Sequence, residues 1–256
     1  MRIVVKVGTS TLAHPTGLLH IRRVEQLCKV LSDLKNAGHE LALVSSGAIG
    51  MGVGKLSLKE RPQDMATKQA AAAVGQCELM YTYDKLFSDY RHTVAQVLMT
   101  RSDIADEERR QNIRNTLFRL LELGVLPIIN ENDTVATEEI TIGDNDTLAA
   151  TVAIEMHADL LVLLSDIDGL YTADPHKDPD ARRIETVATI TDDILKLGGG
   201  KGSSLGTGGM HTKLHAAERV TAAGMDMVIA NGEDPDVLYA IVQGESVGTR
   251  FLRQEG

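Results

Sequence analysis

Short runs of aliphatic and β-branched residues alternate along the chain with segments whose apolar residues recur at helical spacing. The runs predict strands, and the segments between them predict helices. The predicted strands cover residues 3–7, 41–45, 94–99, 125–130, 160–165 and 227–230. The predicted helices cover residues 21–36, 64–90, 111–123, 146–157 and 209–223. This alternation is typical of a doubly wound α/β fold with a mostly parallel sheet that is covered on both faces.

Other segments give weaker signals. Pro127 places the strand 125–130 at a sheet edge or marks the start of that strand, because proline cannot donate a ladder hydrogen bond. Residues 137–142 alternate in polarity and are compatible with one arm of a hairpin, and 238–242 and 248–251 are less regular elements. The glycine-rich segment 198–209 is either a flexible surface loop or a loop that covers a phosphate, since it adjoins a predicted helix start.

Polar residues follow several of the predicted strands directly. The segments 8–10, 45–47, 130–133 and 165–166 all lie at the carboxyl ends of predicted strands. In open α/β sheets ligands bind outside these ends. The sequence therefore predicts that polar groups from distant parts of the chain converge on one edge of the sheet.

Composition narrows the range of functions. The chain has 256 residues, 43% of them hydrophobic, which is enough for one large domain or two small ones. Its net charge of −10, its lack of a basic stripe and its few aromatic residues argue against nucleic-acid binding. No apolar window approaches ~18 residues and the N-terminal apolar run is too short for a signal peptide, so we expect no membrane association and a cytoplasmic protein. Cys28 falls on an apolar helix face and is expected to be a buried thiol.

Several common catalytic motifs are absent from the sequence. It contains no P-loop, no Gly-x-Gly-x-x-Gly after the first strand, no protein-kinase signature and no Gly-x-Ser-x-Gly elbow. His211 and His215 share one face of a predicted helix, as a zinc-binding pair would. However, Thr212 stands where a zincin has Glu, and Lys213 lies between the two histidines, which favours solvated or partly packed side chains.

Two lysines occupy positions that suit an anion. Lys6 lies inside an apolar strand that runs into Gly8, and burying a lysine is costly unless it meets a negative charge. It is either directed at a phosphate above a glycine-rich turn or exposed on an edge strand. Residues 206–213 combine glycines, a predicted helix N-terminus and Lys213, and they predict a second anion site or else a flexible turn.

Two clusters of acids and amides, 130–133 and 143–146, lie near these lysines in the predicted arrangement. Each cluster alone is explained equally well by turn chemistry with a helix N-cap or by a site for a polar substrate and magnesium. The two clusters together with the two lysines favour the substrate and magnesium site. Residues 166–175 form either an ordinary Asp-Gly turn or a nucleotide-binding loop.

Taken together, these motifs resemble the glutamate 5-kinases of the amino acid kinase family. The matching stretches are Val-Lys-Val-Gly-Thr-Ser, Val-Ser-Ser-Gly-Ala-Ile, Ile-Asn-Glu-Asn-Asp, Gly-Asp-Asn-Asp, Gly-Leu-Tyr-Thr-Ala-Asp-Pro and Gly-Thr-Gly-Gly-Met-x-Thr-Lys. They occur in family order and cover essentially the whole chain. Ser165 stands where the family usually has Thr, a change that keeps the hydroxyl.

The resemblance implies a three-layer α/β/α sandwich with a mostly parallel central sheet. It implies a single amino acid kinase domain over residues 1–256, with an acceptor-substrate lobe at 1–158 and a nucleotide lobe at 159–256. Many members carry a further C-terminal PUA domain, and we expect none here. It also implies a homo-oligomer, either a dimer or a tetramer, and feedback inhibition by proline.

The activity implied by the resemblance is ATP-dependent phosphorylation of the γ-carboxylate of L-glutamate, the first step of proline biosynthesis. Lys6 and Lys213 would stabilise the transferred phosphoryl group, with Asp146 holding both lysines, and Mg²⁺ would bind mainly through the ATP phosphates, with no protein ligand assigned. The glutamate-site residues would be Ser46, Gly47, Asn130, Asp133 and Asn145. The nucleotide-site residues would be Lys6, Ser165, Asp166, Thr207, Gly208, Gly209, Met210, His211, Thr212 and Lys213.

Two alternatives stay open from the sequence. A sister kinase would act on acetylglutamate, aspartate, carbamate or UMP, although an acetylated amine would give Asp133 no charge to pair with. A catalytically inactive sensor would bind ATP or an amino acid, although both lysines and all the motif carboxylates are present.

Overall fold

A parallel sheet forms the middle layer of the computed structural model, which describes residues 1–14, 16, 18–136, 145–175, 177–199 and 209–254. The main strands are β1 (Arg2–Val7), β2 (Glu40–Ser45), β3 (Val94–Met99), β4 (Leu126–Glu131), β5 (Leu160–Ser165) and β9 (Asp226–Asn231). Four short strands complete the set: β6 (Leu170–Tyr171), β7 (Arg183–Ile184), β8 (Thr186–Val187) and β10 (Thr249–Phe251).

Within the described residues the sheet has eight strands in the order β3-β4-β2-β1-β5-β9-β10-β8. All neighbours pair in parallel except β10, which runs antiparallel to β9, while β6 and β7 form a separate antiparallel pair. The carboxyl ends of six consecutive parallel strands therefore lie along one edge.

Helices cover both faces of the sheet. They are α1 (Thr9–Leu12), α2 (Ile21–Asn36), α3 (Ala48–Lys55), α4 (Met65–Ser88), α5 (Arg101–Ala105), α6 (Glu107–Glu122), α7 (Asn145–Glu155), α8 (Asp192–Lys196), α9 (Met210–Ala222) and α10 (Val237–Gln243). None of the described helices is long and apolar enough to cross a membrane.

Alternation along the buried strands produces two hydrophobic cores. Val4 of β1 belongs to the core shared with α6, α7 and α9, whereas Val5 belongs to the core shared with α2, α4 and α10. Successive side chains of a strand point to opposite faces, so a strand with apolar residues at nearly every position must be covered on both sides. The predicted three-layer α/β/α sandwich is confirmed.

Helices α3 and α4 approach each other more closely than any side chain would permit. A Cβ atom on Gly52 would lie 1.8 Å from the carbonyl oxygen of Ala71, and one on Gly75 would lie 1.7 Å from the carbonyl oxygen of Ala48. Real Cβ atoms do not come so near to backbone, so glycine at these two positions is what lets the helices cross in backbone contact.

The main predicted strands and helices are confirmed, with differences at segments where apolar periodicity is weak. Residues 48–55, for which no helix was predicted, form α3. Helix α6 begins at Glu107 rather than at residue 111, because Asp106 caps it by accepting a hydrogen bond from the Arg109 N–H. Residues 137–142, the predicted hairpin arm, and most of the glycine-rich segment lie outside the described residues.

The structure also settles the predictions for Pro127 and Cys28. Strand β4 lies between β3 and β2, so the edge position suggested by Pro127 is wrong and the strand-start interpretation is correct. Pairing of β4 with β2 begins only at Ile128. Pro127, which has no N–H, therefore does not need to donate a hydrogen bond to β2. Cys28 is a buried free thiol, as predicted, and Cys77 is exposed.

Candidate active site

The predicted site residues lie at the carboxyl edge of the sheet, on strand ends and on two helix starts. Lys6, Asn130 and Ser165 come from the last residues of β1, β4 and β5. Asn145 and Asp146 open α7, and Met210–Lys213 form the first turn of α9. Because β1 is central in the sheet, its end is next to residues from both halves of the chain.

Lys6, Asp146 and Lys213 form a buried charge centre. Lys6 Nζ lies 2.7 Å from Asp146 Oδ1, and Lys213 Nζ lies 3.0 Å from Asp146 Oδ2. Only 8% of Lys6 and 4% of Lys213 is exposed, and Asp146 is not exposed at all. The interpretation of Lys6 as a solvent-facing lysine on an edge strand is therefore wrong, and its pairing with an acid explains how burial is tolerated.

The electrostatics of this centre hold Asp146 ionised. Burial by itself would raise the pKa of Asp146, but the ammonium groups of Lys6 and Lys213 lower that pKa to about 2, and Lys213 also donates a hydrogen bond to Oδ2. Two ammonium groups and one carboxylate leave one net positive charge at the edge of the sheet. Such a centre can attract and stabilise a group with more negative charge than Asp146 supplies.

Thr212 and the start of α9 extend the charge centre. Thr212 Oγ1 lies 3.0 Å from Asp146 Oδ2 and 2.8 Å from the carbonyl oxygen of Gly209. Gly209 is the N-cap of α9, so the first amides of that helix and its partial positive charge adjoin Lys213. Thr207 and Gly208, also predicted for the nucleotide, lie outside the described residues.

Next to the charge centre is a cleft of about 750 Å³, which we call the acceptor cleft. All five residues predicted for the acceptor substrate line it: Ser46, Gly47, Asn130, Asp133 and Asn145. Gly47 has a φ of +100°, a left-handed conformation that turns the chain from β2 directly into α3. The first amides of α3 therefore begin beside Ser46.

Three amide side chains hydrogen-bond in series at the base of this cleft. Gln76 Oε1 accepts from Asn130 Nδ2 at 2.8 Å, and Asn130 Oδ1 accepts from Asn145 Nδ2 at 3.1 Å. Asn145 Nδ2 also donates to Ser46 Oγ at 2.8 Å and to the carbonyl oxygen of Ser45 at 3.0 Å. Ser45 Oγ is in turn 2.9 Å from the hydroxyl of the buried Tyr83.

Gln76 and Tyr83 were missed by the sequence analysis. Both lie on α4, a helix that is rich in alanine and has no strong polar side. The available signal is that Gln76 shares a helix face with Ala72, Gly75 and Leu79, all of which are buried. A polar residue on a buried face needs a partner, and here the partner comes from the end of β4.

Three of the remaining predicted residues, Ser165, Asp166 and His211, make contacts outside the charge centre. Ser165 Oγ donates to Asp166 Oδ1 at 3.0 Å, and no described hydrogen bond joins either residue to Lys6, Asp146 or Lys213. The rings of His211 and His215 are 4.3 Å apart and edge-on, and His215 contacts Glu218. Among the described residues there is no group of three or more His, Cys, Asp or Glu side chains that could hold a metal ion.

Comparison with known proteins gives a consistent result. The model of the amino acid kinase family matches residues 1–231. The chain is 50% identical to glutamate 5-kinase of Clostridium perfringens, over 100% of this chain and 96% of that protein. It is 52% identical to glutamate 5-kinase of Clostridium acetobutylicum, over 98% and 94% of the two chains. Against glutamate 5-kinase of Moorella thermoacetica it is 54% identical, over 99% of this chain and 67% of that protein.

A solved structure supports the architecture independently. The crystal structure of UMP kinase from Bacillus anthracis superposes with a TM-score of 0.64 and covers 99% of this chain and 96% of its own. The two sequences are only 17% identical, so this likeness concerns the fold alone.

Proposed function

This chain belongs to the glutamate 5-kinases of the amino acid kinase family, and we infer that it transfers a phosphoryl group from ATP to the γ-carboxylate of L-glutamate. The product, L-glutamyl 5-phosphate, is the first intermediate of proline biosynthesis. The family predicted from the motifs is confirmed. The structural observation that supports the activity best is the buried Lys6–Asp146–Lys213 centre beside the acceptor cleft.

The reaction needs no general base. A γ-carboxylate has a pKa of ~4.3 and is already ionised at neutral pH, so it can attack phosphorus directly. The obstacle is repulsion between an anionic acceptor and a polyanionic donor, which positive charge and positioning overcome. We assign Lys6 and Lys213 to stabilise the phosphoryl group in transfer. Asp146 holds both ammonium groups at one point and stays ionised while doing so.

We assign the contacts that glutamate requires to the acceptor cleft. Asp133 is assigned to the α-ammonium as its charge partner, and Asn145 supplies an amide beside it. Ser46, Gly47 and Asn130 line the rest of the glutamate site. This placement puts the acceptor next to the charge centre, because Asn145 and Asp146 are consecutive residues at the start of α7.

ATP is assigned to the other side of the charge centre. Ser165 and Asp166, at the end of β5, and Gly209, Met210, His211, Thr212 and Lys213, at the start of α9, would contact the nucleotide, as would Lys6. Thr207 and Gly208 are also assigned to the nucleotide, because they belong to the same Gly-Thr-Gly-Gly-Met-x-Thr-Lys motif. The start of a 13-residue helix with an adjacent lysine suits phosphate oxygens.

The donor set fits magnesium that arrives bound to ATP. Both oxygens of Asp146 are engaged by lysines, and the described residues offer no cage of carboxylates. Mg²⁺ would be held mainly by the ATP phosphates and would reduce the negative charge that the acceptor carboxylate meets.

Three further assignments extend this proposal. Residues 1–256 are taken as one kinase domain, with an acceptor lobe at 1–158 and a nucleotide lobe at 159–256. The chain is taken to form a homodimer or homotetramer. Proline is taken to inhibit the enzyme at or overlapping the glutamate site. Steady-state rates with proline at sub-saturating glutamate test the last assignment, and insensitivity to proline would remove it.

A coupled ADP-release assay tests the activity itself. L-Glutamate, N-acetylglutamate, aspartate and UMP are compared as acceptors with ATP and Mg²⁺, and hydroxylamine is added to trap an acyl phosphate. We expect the highest kcat/KM with L-glutamate, with a hydroxamate as the trapped product. Preference for another acceptor would support a sister kinase, and binding without ADP release would support a sensor.

A further inference from the structure

Gln76 has a hydrogen-bonding pattern that packing alone does not explain. Its side chain is 9% exposed, on the buried face of α4. Its Oε1 atom accepts from Asn130 Nδ2, but its buried Nε2 atom has no hydrogen-bond partner among the described residues. A buried amide with one unpaired polar atom destabilises the folded state, because that atom has lost its hydrogen bonds to water. An apolar residue of similar size would fill the same space without this desolvation cost. The acceptor oxygen is therefore what distinguishes glutamine from such a residue at this position.

Gln76 is the first member of a series that we call the amide relay: Gln76, Asn130 and Asn145. Backbone partners identify which terminal atom of the second and third amides is nitrogen and which is oxygen. The Glu131 N–H can only donate, and it bonds Asn130 Oδ1 at 2.9 Å. The Ser45 carbonyl can only accept, and it bonds Asn145 Nδ2 at 3.0 Å. Asn130 therefore directs its Nδ2 atom to Gln76, and only an acceptor can occupy that place.

This orientation determines which atom Asn145 offers to the acceptor cleft. The two hydrogens on its Nδ2 atom are shared among three protein acceptors: the Ser45 carbonyl, Ser46 Oγ and Asn130 Oδ1. No hydrogen bond among the described residues engages its Oδ1 atom, and Asn145 lines the cleft that also contains Asp133. A carbonyl oxygen in a cleft that is also lined by a carboxylate is suited to an ammonium group and unsuited to a second carboxylate.

We propose that Gln76 is a positioning residue that holds Asn130 and, through it, Asn145 so that the Asn145 carbonyl oxygen receives the α-ammonium of the substrate. This inference rests on the proposed function of the same cleft. Gln76 touches no substrate; it acts by giving Asn130 Nδ2 its acceptor. Without Gln76 Oε1, Asn130 Nδ2 loses its hydrogen-bond partner and the Asn130 side chain can rotate. The preference of the cleft for a substrate that carries an ammonium group then weakens.

The test compares two substitutions of Gln76 in the full chain. Gln76→Met keeps the length of the side chain and removes the acceptor, whereas Gln76→Glu keeps an oxygen toward Asn130 Nδ2 whether or not the carboxyl is ionised. Leu79→Met, on the same buried face of α4, is the matched control for changes in helix packing. For each protein the KM values for L-glutamate and ATP are measured, together with kcat/KM for glutarate, which lacks the amino group.

We expect Gln76→Met to raise the KM for glutamate about tenfold and to leave the KM for ATP unchanged. Its preference for glutamate over glutarate should fall by a similar factor. Gln76→Glu should keep both values within about threefold of the parent, as should Leu79→Met. A parallel loss with glutamate and glutarate would overturn the proposal, because it would mean a structural role only. Equal damage from Gln76→Glu and Gln76→Met would overturn it as well.

These outcomes are separate from failure of the proposed function. If the unaltered chain phosphorylates neither glutamate nor glutarate, the acceptor assignment fails before the relay is tested. If it prefers glutamate and the preference survives Gln76→Met, the function stands and the relay proposal is wrong.

Discussion

The charge centre and the acceptor cleft lie side by side at one edge of the sheet, but they are built differently. In the charge centre, two ammonium groups meet one carboxylate that is not exposed. At the base of the cleft, neutral amides and hydroxyls hold one another in a fixed orientation. Charge attracts any polyanion, whereas oriented amides distinguish one polar group from another. The first region therefore suits the phosphoryl group, and the second suits recognition of the acceptor.

This comparison predicts that changes in the two regions appear in different kinetic constants. Damage to the charge centre should lower kcat, because the phosphoryl group carries its critical charge in the transition state. Damage to the cleft should raise the KM for glutamate. Four experiments test this division, in order of decreasing expected effect.

The largest effect is expected from removing a lysine of the charge centre. Lys6→Ala and Lys213→Ala should each lower kcat by ~10²–10³, which corresponds to about 3–4 kcal/mol, with much smaller changes in either KM. The double variant should lose less than the sum, since both groups act on one charge. The kcat and both KM values are measured by steady-state kinetics, with a substitution of an exposed lysine, Lys29→Ala, as the control. A near-normal kcat in either single variant would remove that lysine from the chemistry.

The next effect is expected in the cleft. Asp133→Asn removes the charge assigned to the substrate ammonium, and a charge-assisted hydrogen bond contributes ~1.5–3 kcal/mol. The KM for glutamate should rise roughly tenfold to a hundredfold, while the KM for ATP stays the same. Asp84→Asn, at an exposed position on α4, is the control. Equal increases in both KM values would contradict the division between the two regions.

A third experiment measures the charge centre without substrate. Because the pKa of Asp146 is lowered from 3.8 to about 2, its carboxylate stabilises the folded state at pH values above 3.8. That contribution, roughly 2 kcal/mol, should be lost as the pH falls from about 4 to about 2. Urea unfolding of the parent and of Asp146→Asn across this range isolates the effect from other carboxylates. Identical pH dependence in the two proteins would mean that Asp146 is not held ionised as described.

The smallest effect is expected from Tyr83→Phe. This change removes the hydroxyl that lies 2.9 Å from Ser45 Oγ beneath the cleft, and a buried hydrogen bond contributes about 1 kcal/mol to stability. The free energy of unfolding should fall by that amount, with both KM values within about twofold of the parent. A tenfold rise in the KM for glutamate would instead mean that Tyr83 contributes to substrate binding as well as to stability.

Most of the layered fold could be predicted because the main strands are long, apolar and separated by regular helices. Helix α6 was predicted to start too late, since residues 107–110 are all charged and carry no apolar periodicity. Strands β6, β7 and β8 have two residues each and cannot display a period. Length and apolar content thus decided which elements could be recognised.

The site was predictable to the extent that its residues are unusual where they stand. Lys6 is conspicuous inside an apolar strand, and its burial against Asp146 agrees with that signal. The pairing itself depends on where α7 begins, which no local pattern specifies, and it came from family resemblance. Gln76 is inconspicuous in an alanine-rich helix, because an amide there is compatible with solvent until α4 is placed against β4.

The backbone contact between α3 and α4 has a consequence for how the acceptor site can change over evolutionary time. Ser46 and Gly47, which line the cleft, lead into α3, and Gln76 of the amide relay follows Gly75 at the contact between the two helices. No single larger residue at Gly52 or Gly75 can adjust the spacing gradually, since any Cβ there meets backbone. Residues 58–61, in the segment that connects the two helices, line the acceptor cleft, so substitutions there change the cleft and leave the helix crossing intact. A new acceptor specificity must therefore come from side chains that line the cleft rather than from a change in the spacing of the two helices.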